Sequence, residues 1–385
     1  MRKVAVVGHG MSKFGERWEA GLKELVSEAA VAAMGNANVE PKQIQALFTG
    51  SMSSGRFANQ EHLGALVADQ LGMTPLPSVR VEAACASGGV AVRQAYLSIA
   101  SGAYGLALVV GVEKMTDVHV GNATTTLGAA GDYECEVFHG ATFPALYAMI
   151  AKRHMHEFGT TEEQLAMVSV KNHFHGSKNK YAQFQNVITV DDVMKSSMVA
   201  SPLKLLDCSP ITDGAAAVVL ASEDLARKIT DTPVWIAGSA QASDTLALHD
   251  RESLTSLKAT RVAAQEAYKQ ANVRPSDIKV AEVHDCFSIA EIIALEDLGF
   301  FKKGEGGKAV QDNQTYLNSK ISINTSGGLK ACGHPVGATG IKQIAELAMQ
   351  LRNEANGRQV SGAEVGMAHN VGGSGATAVV HILRR

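Results

Sequence analysis

The chain has 385 residues, 46% of them hydrophobic and 19% charged, with a formal net charge of -3. That is enough apolar material for one large domain or two ordinary ones, which excludes a disordered tail. The charges are interspersed, so no basic face is offered to nucleic acid or to an anionic membrane.

Val4 to Val7 reads as a buried strand, and Leu22, Leu25, Val26, Ala29, Ala30 and Ala33 follow at helical spacing. No apolar run reaches the roughly 20 residues of a membrane span, and the start lacks the pattern of a signal peptide. The five cysteines, Cys85, Cys135, Cys208, Cys286 and Cys332, have no disulfide-framework or zinc-knuckle spacing. Free thiols fit a reducing compartment, so a cytoplasmic location is expected. Further along come a strand at Ala46 to Thr49, a helix around Leu63, a strand at Ser78 to Glu82, a helix through Val92 and Ile99, and a strand at Leu106 to Val112. Strand and helix alternate, which predicts a mostly parallel sheet covered on both faces.

The same rhythm returns after residue 230: strands at Val234 to Ala237, Val280 to Val283 and Ile321 to Asn324, with helices near Arg261 to Ala271, from Ser288 and from Ile341. Asp213 to Leu220 and Gly373 to Val380 are both small-residue turns running into apolar strands, so the α/β fold is expected to be duplicated. Residues 114–207 break the rhythm. They are read as an insertion that carries substrate contacts, between a first half of residues 1–113 and 208–230 and a second half of residues 231–385. Its His154, His156, His173 and His175, with Lys171, Lys178 and Lys180, are expected to be mostly solvated surface.

Three strand-to-helix turns carry reactive side chains. Cys85, in Val81-Glu-Ala-Ala-Cys-Ala-Ser-Gly-Gly89, sits where a helix begins, and free N-H groups with the helix dipole there predict a lowered thiol pKa. His334 lies on the glycine-rich turn Gly327 to Gly340, and a histidine is the group suited to exchange a proton with a nucleophilic cysteine near neutral pH. The third turn is His284-Asp-Cys-Phe287. In parallel sheets ligands bind beyond the carboxyl ends of strands, so the three turns are expected to meet at one pocket. No pair has a zinc-ligand spacing, so no metal is expected. The turn His369-Asn-Val-Gly-Gly-Ser-Gly375 could add an oxyanion donor to the N-H of Cys85, or be glycine-rich only because the chain bends.

Cys85-Ala-Ser87, His284-Asp-Cys-Phe287, Gly333-His-Pro335 and the closing glycine turn together resemble the thiolase family over essentially the whole chain. The likeness is to the archaeal acetoacetyl-CoA thiolases and the sterol-carrier-protein-type thiolases, because the best-known bacterial thiolases carry Asn-Glu-Ala-Phe in place of His-Asp-Cys-Phe. The resemblance implies two βαβαβαββ halves with a loop domain in the first. It implies that Cys85 accepts the acetyl group of acetyl-CoA, with His334 activating it and helping to protonate the departing CoA. The closing turn lacks the cysteine that serves many thiolases as second base, so the resemblance assigns that role to Cys286. His284 and His334 would hold the enolate oxygen, the N-H groups of Cys85 and Gly372 the tetrahedral intermediate, and Ser209 would touch the pantetheine arm.

The implied reaction joins two acetyl-CoA into acetoacetyl-CoA plus CoA, reversibly, with CoA thioesters as substrates and no cofactor. A place in the mevalonate route, a homodimer or tetramer, and a complex with hydroxymethylglutaryl-CoA synthase and a small zinc-bearing OB-fold protein are further implications. The alternatives are a longer-chain 3-ketoacyl-CoA thiolase, a CoA-independent C-acyltransferase on the same scaffold, and a non-enzymatic acyl-CoA or lipid carrier.

Overall fold

The computed structural model describes residues 2–385. The first half contributes β1 (Val4–Met11), β2 (Ala46–Gly50), β3 (Ser78–Val81) and β4 (Leu106–Glu113). A small ribbon of β5 (Met198–Ala200) and β6 (Leu203–Lys204) lies in the insertion, and β7 (Gly214–Ser222) closes the half. The second half repeats the series with β8 (Val234–Ser243), β9 (Val280–Glu282), β10 (Ser322–Ile323), β11 (Val365–Gly372) and β12 (Thr377–Arg384).

Strand order carries the duplication further than the sequence could. The first half runs β3-β2-β4-β7-β1 and the second β10-β9-β11-β12-β8, the same order of corresponding strands. Each has parallel ladders among its outer three strands and antiparallel ones among the rest. The strand-helix rhythm predicted the parallel part. The antiparallel centre arises because the fourth and fifth strands of each half are neighbours that run back on one another, in the second half through the tight turn after Gly372. The halves join through the short antiparallel pairing of Ala5 with Trp235 and Val6 with Val234.

β4, β7 and β11 are buried at every position, which is why β4 and β7 read as continuous apolar runs and not as alternating ones. Helix Thr339–Arg352 is likewise buried along its whole length, packed on strands of both halves and on helix Ser87–Ala100. Its polar residues are tolerated because they are paired inside: Lys342 Nζ lies 3.1 Å from Glu282, and Glu346 holds Arg358 at 2.7 Å. Where the helix starts meet, a Cβ on Gly88 would lie 2.6 Å from the Gly337 carbonyl, so only glycine lets the cysteine turn and the His334 turn come this close.

The insertion packs more tightly than its composition suggested. Helix Phe143–Phe158 is capped by the Thr142 hydroxyl and ends at Gly159 in the left-handed region, and helix Glu162–Gly176 follows. His154, His173, His175 and Lys171 are buried, against the surface expectation, whereas His156, Lys178 and Lys180 are exposed. The reason is pairing: Lys171 meets Glu291 at 3.0 Å, and His154 bridges the Thr160 hydroxyl and Glu296. Among the described residues no helix is long and apolar enough to cross a membrane.

Candidate active site

The cysteine turn is held in an unusual conformation. Ala84, immediately before Cys85, has φ +51, a left-handed backbone that a residue with a Cβ adopts at a cost of about 1 kcal/mol or more. The Ser87 hydroxyl pays for this by donating to the Ala84 carbonyl at 2.6 Å and accepting from the Ala83 N-H at 2.9 Å. Cys85 is thereby placed at the start of helix Ser87–Ala100, facing a pocket of about 160 Å³.

Two histidines converge on it. One ring nitrogen of His284, one of His334 and the Cys85 Sγ all lie within 4.8 Å of one another, and the rings meet edge to face at 5.1 Å. This spacing would suit a metal ion geometrically, a convergence that no sequence interval announces. The His334 main-chain N-H donates to the Thr212 hydroxyl at 3.0 Å, and its Nδ1 sits 2.7 Å from the Thr339 hydroxyl. That hydroxyl donates to the Pro335 carbonyl at 3.1 Å, so towards His334 it accepts. Neutral His334 therefore carries its hydrogen on Nδ1 and presents a lone pair at Nε2, an atom with no other partner.

Burial, followed by the positive charge of Lys342, lowers the His334 pKa to about 3. Burial also pushes the Cys85 thiol well above its ordinary range, and neighbouring Cys286 adds to that. The peptide N-H groups of Gly373 and of Cys85 itself act the other way and are outweighed. The lowered thiol pKa expected from the helix start is thus corrected: desolvation exceeds the dipole, and the resting pair is a neutral thiol beside a neutral base.

The turn His284 to Phe287 follows β9 and precedes helix Ser288–Asp297. Its Asp285 carboxylate accepts from the main-chain N-H of Leu329 at 2.7 Å and from the Asn172 amide at 2.7 Å, which clamps this turn to the His334 turn and to the insertion. Cys286 is buried and lines the pocket, and burial raises its thiol to about 12, against the opposing pull of the Tyr147 hydroxyl and the Lys330 charge. It too rests as a thiol, ready to donate a proton.

In the closing turn, Gly373 and not Gly372 lines the pocket and turns its N-H to the Cys85 thiol; Gly372 lines a separate shallow depression with Ala83 and Ala84. The Gly373 N-H thus faces the nucleophile itself, beside the oxyanion donor expected at Gly372. His369 faces away, with Nε2 at 2.9 Å from the Thr260 hydroxyl. Ser209 lines the pocket, and its N-H donates to the Cys286 carbonyl at 2.9 Å.

Sequence reasoning missed three groups here. Phe143 and Tyr147 of the insertion form an apolar wall, with Tyr147 stacked on Phe287 at 4.6 Å and its hydroxyl donating to the Gly373 carbonyl at 3.1 Å. Buried Glu113, at the end of β4, accepts from the N-H groups of Met52, Ser53 and Gly337 and so ties the His334 turn to the first half. Asn370 bonds both Cys85 and His284. A polar residue among the glycines of the closing turn was the available signal for Asn370; the other two had none beyond an aromatic in a helix and an acid at a strand end.

The buried histidines carry a testable consequence. His175, His334 and His369 are lowered by burial to about 3, and His381 to about 4, all below the ordinary 6.5. The folded state keeps them neutral while the unfolded chain takes up protons below pH 6.5. Their stabilisation is therefore complete above that pH and is lost as pH falls, by about 1.4 kcal/mol per pH unit for each such proton. Urea midpoints should drop clearly between pH 7 and pH 5, before carboxylates titrate; a flat midpoint over that range would contradict the neutral buried histidines.

A duplicated α/β scaffold that sets a thiol, a neutral imidazole base and converging N-H donors on one apolar pocket defines a cysteine-dependent acyltransferase. The description "Thiolase, N-terminal domain" matches residues 4–224, and "Thiolase C-terminal domain-like" matches residues 240–385. The chain belongs to the thiolase family. Acetyl-CoA acetyltransferase of Methanothermobacter thermautotrophicus is 55% identical over 385 residues, covering 100% of both chains. The protein of that name from Methanocaldococcus jannaschii is 50% identical, covering 100% of this chain and 99% of its own. Among solved structures, the Ltp2-ChsH2(DUF35) aldolase superposes with a TM-score of 0.87 at 27% identity, over 99% of this chain and 97% of that one.

Proposed function

We infer that this protein is an acetyl-CoA C-acetyltransferase, which condenses two acetyl-CoA reversibly to acetoacetyl-CoA and CoA through acetyl-Cys85. The observation that carries the reading is the meeting of Cys85, His284 and His334 within 4.8 Å at a pocket walled by Phe143, Tyr147 and Phe287. Two full-length relatives named for this activity support it.

The protonation states suggest the order of steps. His334 Nε2 takes the Cys85 proton, and the thiolate attacks the acetyl-CoA carbonyl while the N-H groups of Cys85 and Gly372 hold the oxyanion. The tetrahedral adduct collapses, and the departing CoA thiolate takes the proton of Cys286, which rested as a thiol. CoA leaves, and the Cys286 thiolate removes a methyl proton from a second acetyl-CoA. The enolate oxygen lies against protonated His334 and His284, and its carbon attacks acetyl-Cys85. When the new bond has formed, the Cys85 thiolate leaves and recovers its proton from His334. Thiolysis is the same path reversed.

Condensation is uphill, so a consuming enzyme must draw the product off; the mevalonate route is the proposed destination and the cytoplasm the proposed compartment. A homodimer or tetramer, and an assembly with hydroxymethylglutaryl-CoA synthase and a small zinc-bearing OB-fold protein, belong to the same proposal. The aldolase complex with a DUF35 partner supports the last of these by analogy.

Consumption of acetoacetyl-CoA by the purified chain with free CoA tests the reading, and no consumption would reject it. Cys286→Ala removes the acid of the first half-reaction and the base of the second. Because CoA can leave as a thiolate, the variant should still form acetyl-Cys85 from acetyl-CoA, more slowly than the wild type, yet lose about 10²- to 10⁴-fold in thiolysis, the usual range for a general acid or base. Unchanged thiolysis would remove Cys286 from the mechanism.

A further inference from the structure

We propose that Asn370 is a positioning residue that fixes His284 as a hydrogen-bond donor at Nε2, so that the two active-site histidines hold opposite tautomers. The proposal rests on the acyl-transfer reading of this pocket and concerns a residue that does not itself line it.

The orientation of the Asn370 amide follows from two main-chain groups of opposite kind. The Gly89 N-H, which can only donate, lies 3.2 Å from Oδ1. The Cys85 carbonyl, which can only accept, lies 3.0 Å from Nδ2. The amide therefore has one orientation, because the flipped one would set donor against donor at Gly89 and acceptor against acceptor at Cys85. Its second Nδ2 hydrogen points to His284 Nδ1 at 3.2 Å, which must be a lone pair. A neutral imidazole then bears its hydrogen on Nε2, a buried atom with no protein partner.

His334 is the reverse, with Nδ1-H bound to Thr339 and a lone pair at Nε2. One ring thus accepts the thiol proton while the other offers a standing donor, and both face a substrate oxygen once His334 is protonated. The Cys85, His284 and His334 triad then presents two lone-pair atoms and one N-H, which opposes a metal ion in the resting state. The same amide also bonds the Cys85 carbonyl, but the cysteine turn is held independently by the Ser87 hydroxyl, so the nucleophile does not depend on Asn370.

The direct measurement is the tautomer of His284 in the wild-type chain carrying ring nitrogen-15 histidine, with its signals assigned by their loss in His284→Gln. The expected result at pH 7 is a protonated Nε2 and an unprotonated Nδ1; a protonated Nδ1 would overturn the proposal whatever the activity. In the near-isosteric Asn370→Asp the carboxylate should draw a proton onto Nδ1, and an unchanged Nδ1 would count against the proposal. In Asn370→Ala, kcat for thiolysis should fall about 100-fold, the scale of one lost oxyanion donor. KM for acetoacetyl-CoA and the rate of Cys85 alkylation by iodoacetamide should stay within about threefold. A wild-type kcat, or an equal loss of alkylation, would reject it. The tautomer needs no substrate, so its failure is distinct from failure of the proposed reaction.

Discussion

Cys85→Ala should abolish acyl transfer, with thiolysis falling by on the order of 10⁴-fold or more and no acetyl adduct formed. The size of the effect follows from the path: without the thiol there is no covalent intermediate, and the remaining donors have nothing to stabilise. The pocket itself should survive, because Cys85 retains some exposure and its side chain is small, and the turn is held by Ser87 and by the Asn370 bond to the residue 85 carbonyl. Binding of acetoacetyl-CoA, read by titration calorimetry, should therefore persist. A carrier protein would show the same binding before and after the change and no turnover in either form. Retention of turnover in Cys85→Ala would contradict the mechanism outright.

His334→Ala should lower thiolysis by about 10³- to 10⁴-fold, at the upper end of the general-base range. The Cys85 and Cys286 thiols are raised by burial, so neither supplies a thiolate spontaneously at neutral pH. The wild-type base is neutral at neutral pH and so free to accept the proton. In the variant only hydroxide can remove the Cys85 proton, so the residual rate should climb about tenfold per pH unit through the alkaline range, while the wild type stays nearly flat. Parallel pH profiles for the two would mean that His334 is not the base.

Much of the scaffold and the site was legible in the chain because each depends on local signals. The continuous apolar runs at β4 and β7 announce strands covered on both faces, and Cys85, His284 and His334 each stand directly between a strand and a helix. What escaped was set by tertiary contact. Lys171, His173 and His175 look like a solvated face, yet are buried because Glu291, the Asn186 carbonyl and the Asn324 carbonyl wait for them across the fold. The pKa of Cys85 was misjudged because a helix start is visible in sequence and the depth of burial is not. The Gly373 N-H beside the Cys85 thiol is a matter of one peptide's orientation in a turn with several glycines. Asn370 matters only through partners 86 and 285 positions away, and Tyr147 through a carbonyl at the far end of the chain.

The measurement that bears most directly on the account is the location of the acetyl group. The purified chain is incubated with acetyl-CoA, quenched in acid and digested, and the acetylated peptide is identified by mass. The account predicts a single thioester on Cys85, discharged by added CoA and absent from Cys85→Ala. Acetylation of another cysteine, or rapid thiolysis with no adduct on Cys85, would contradict it.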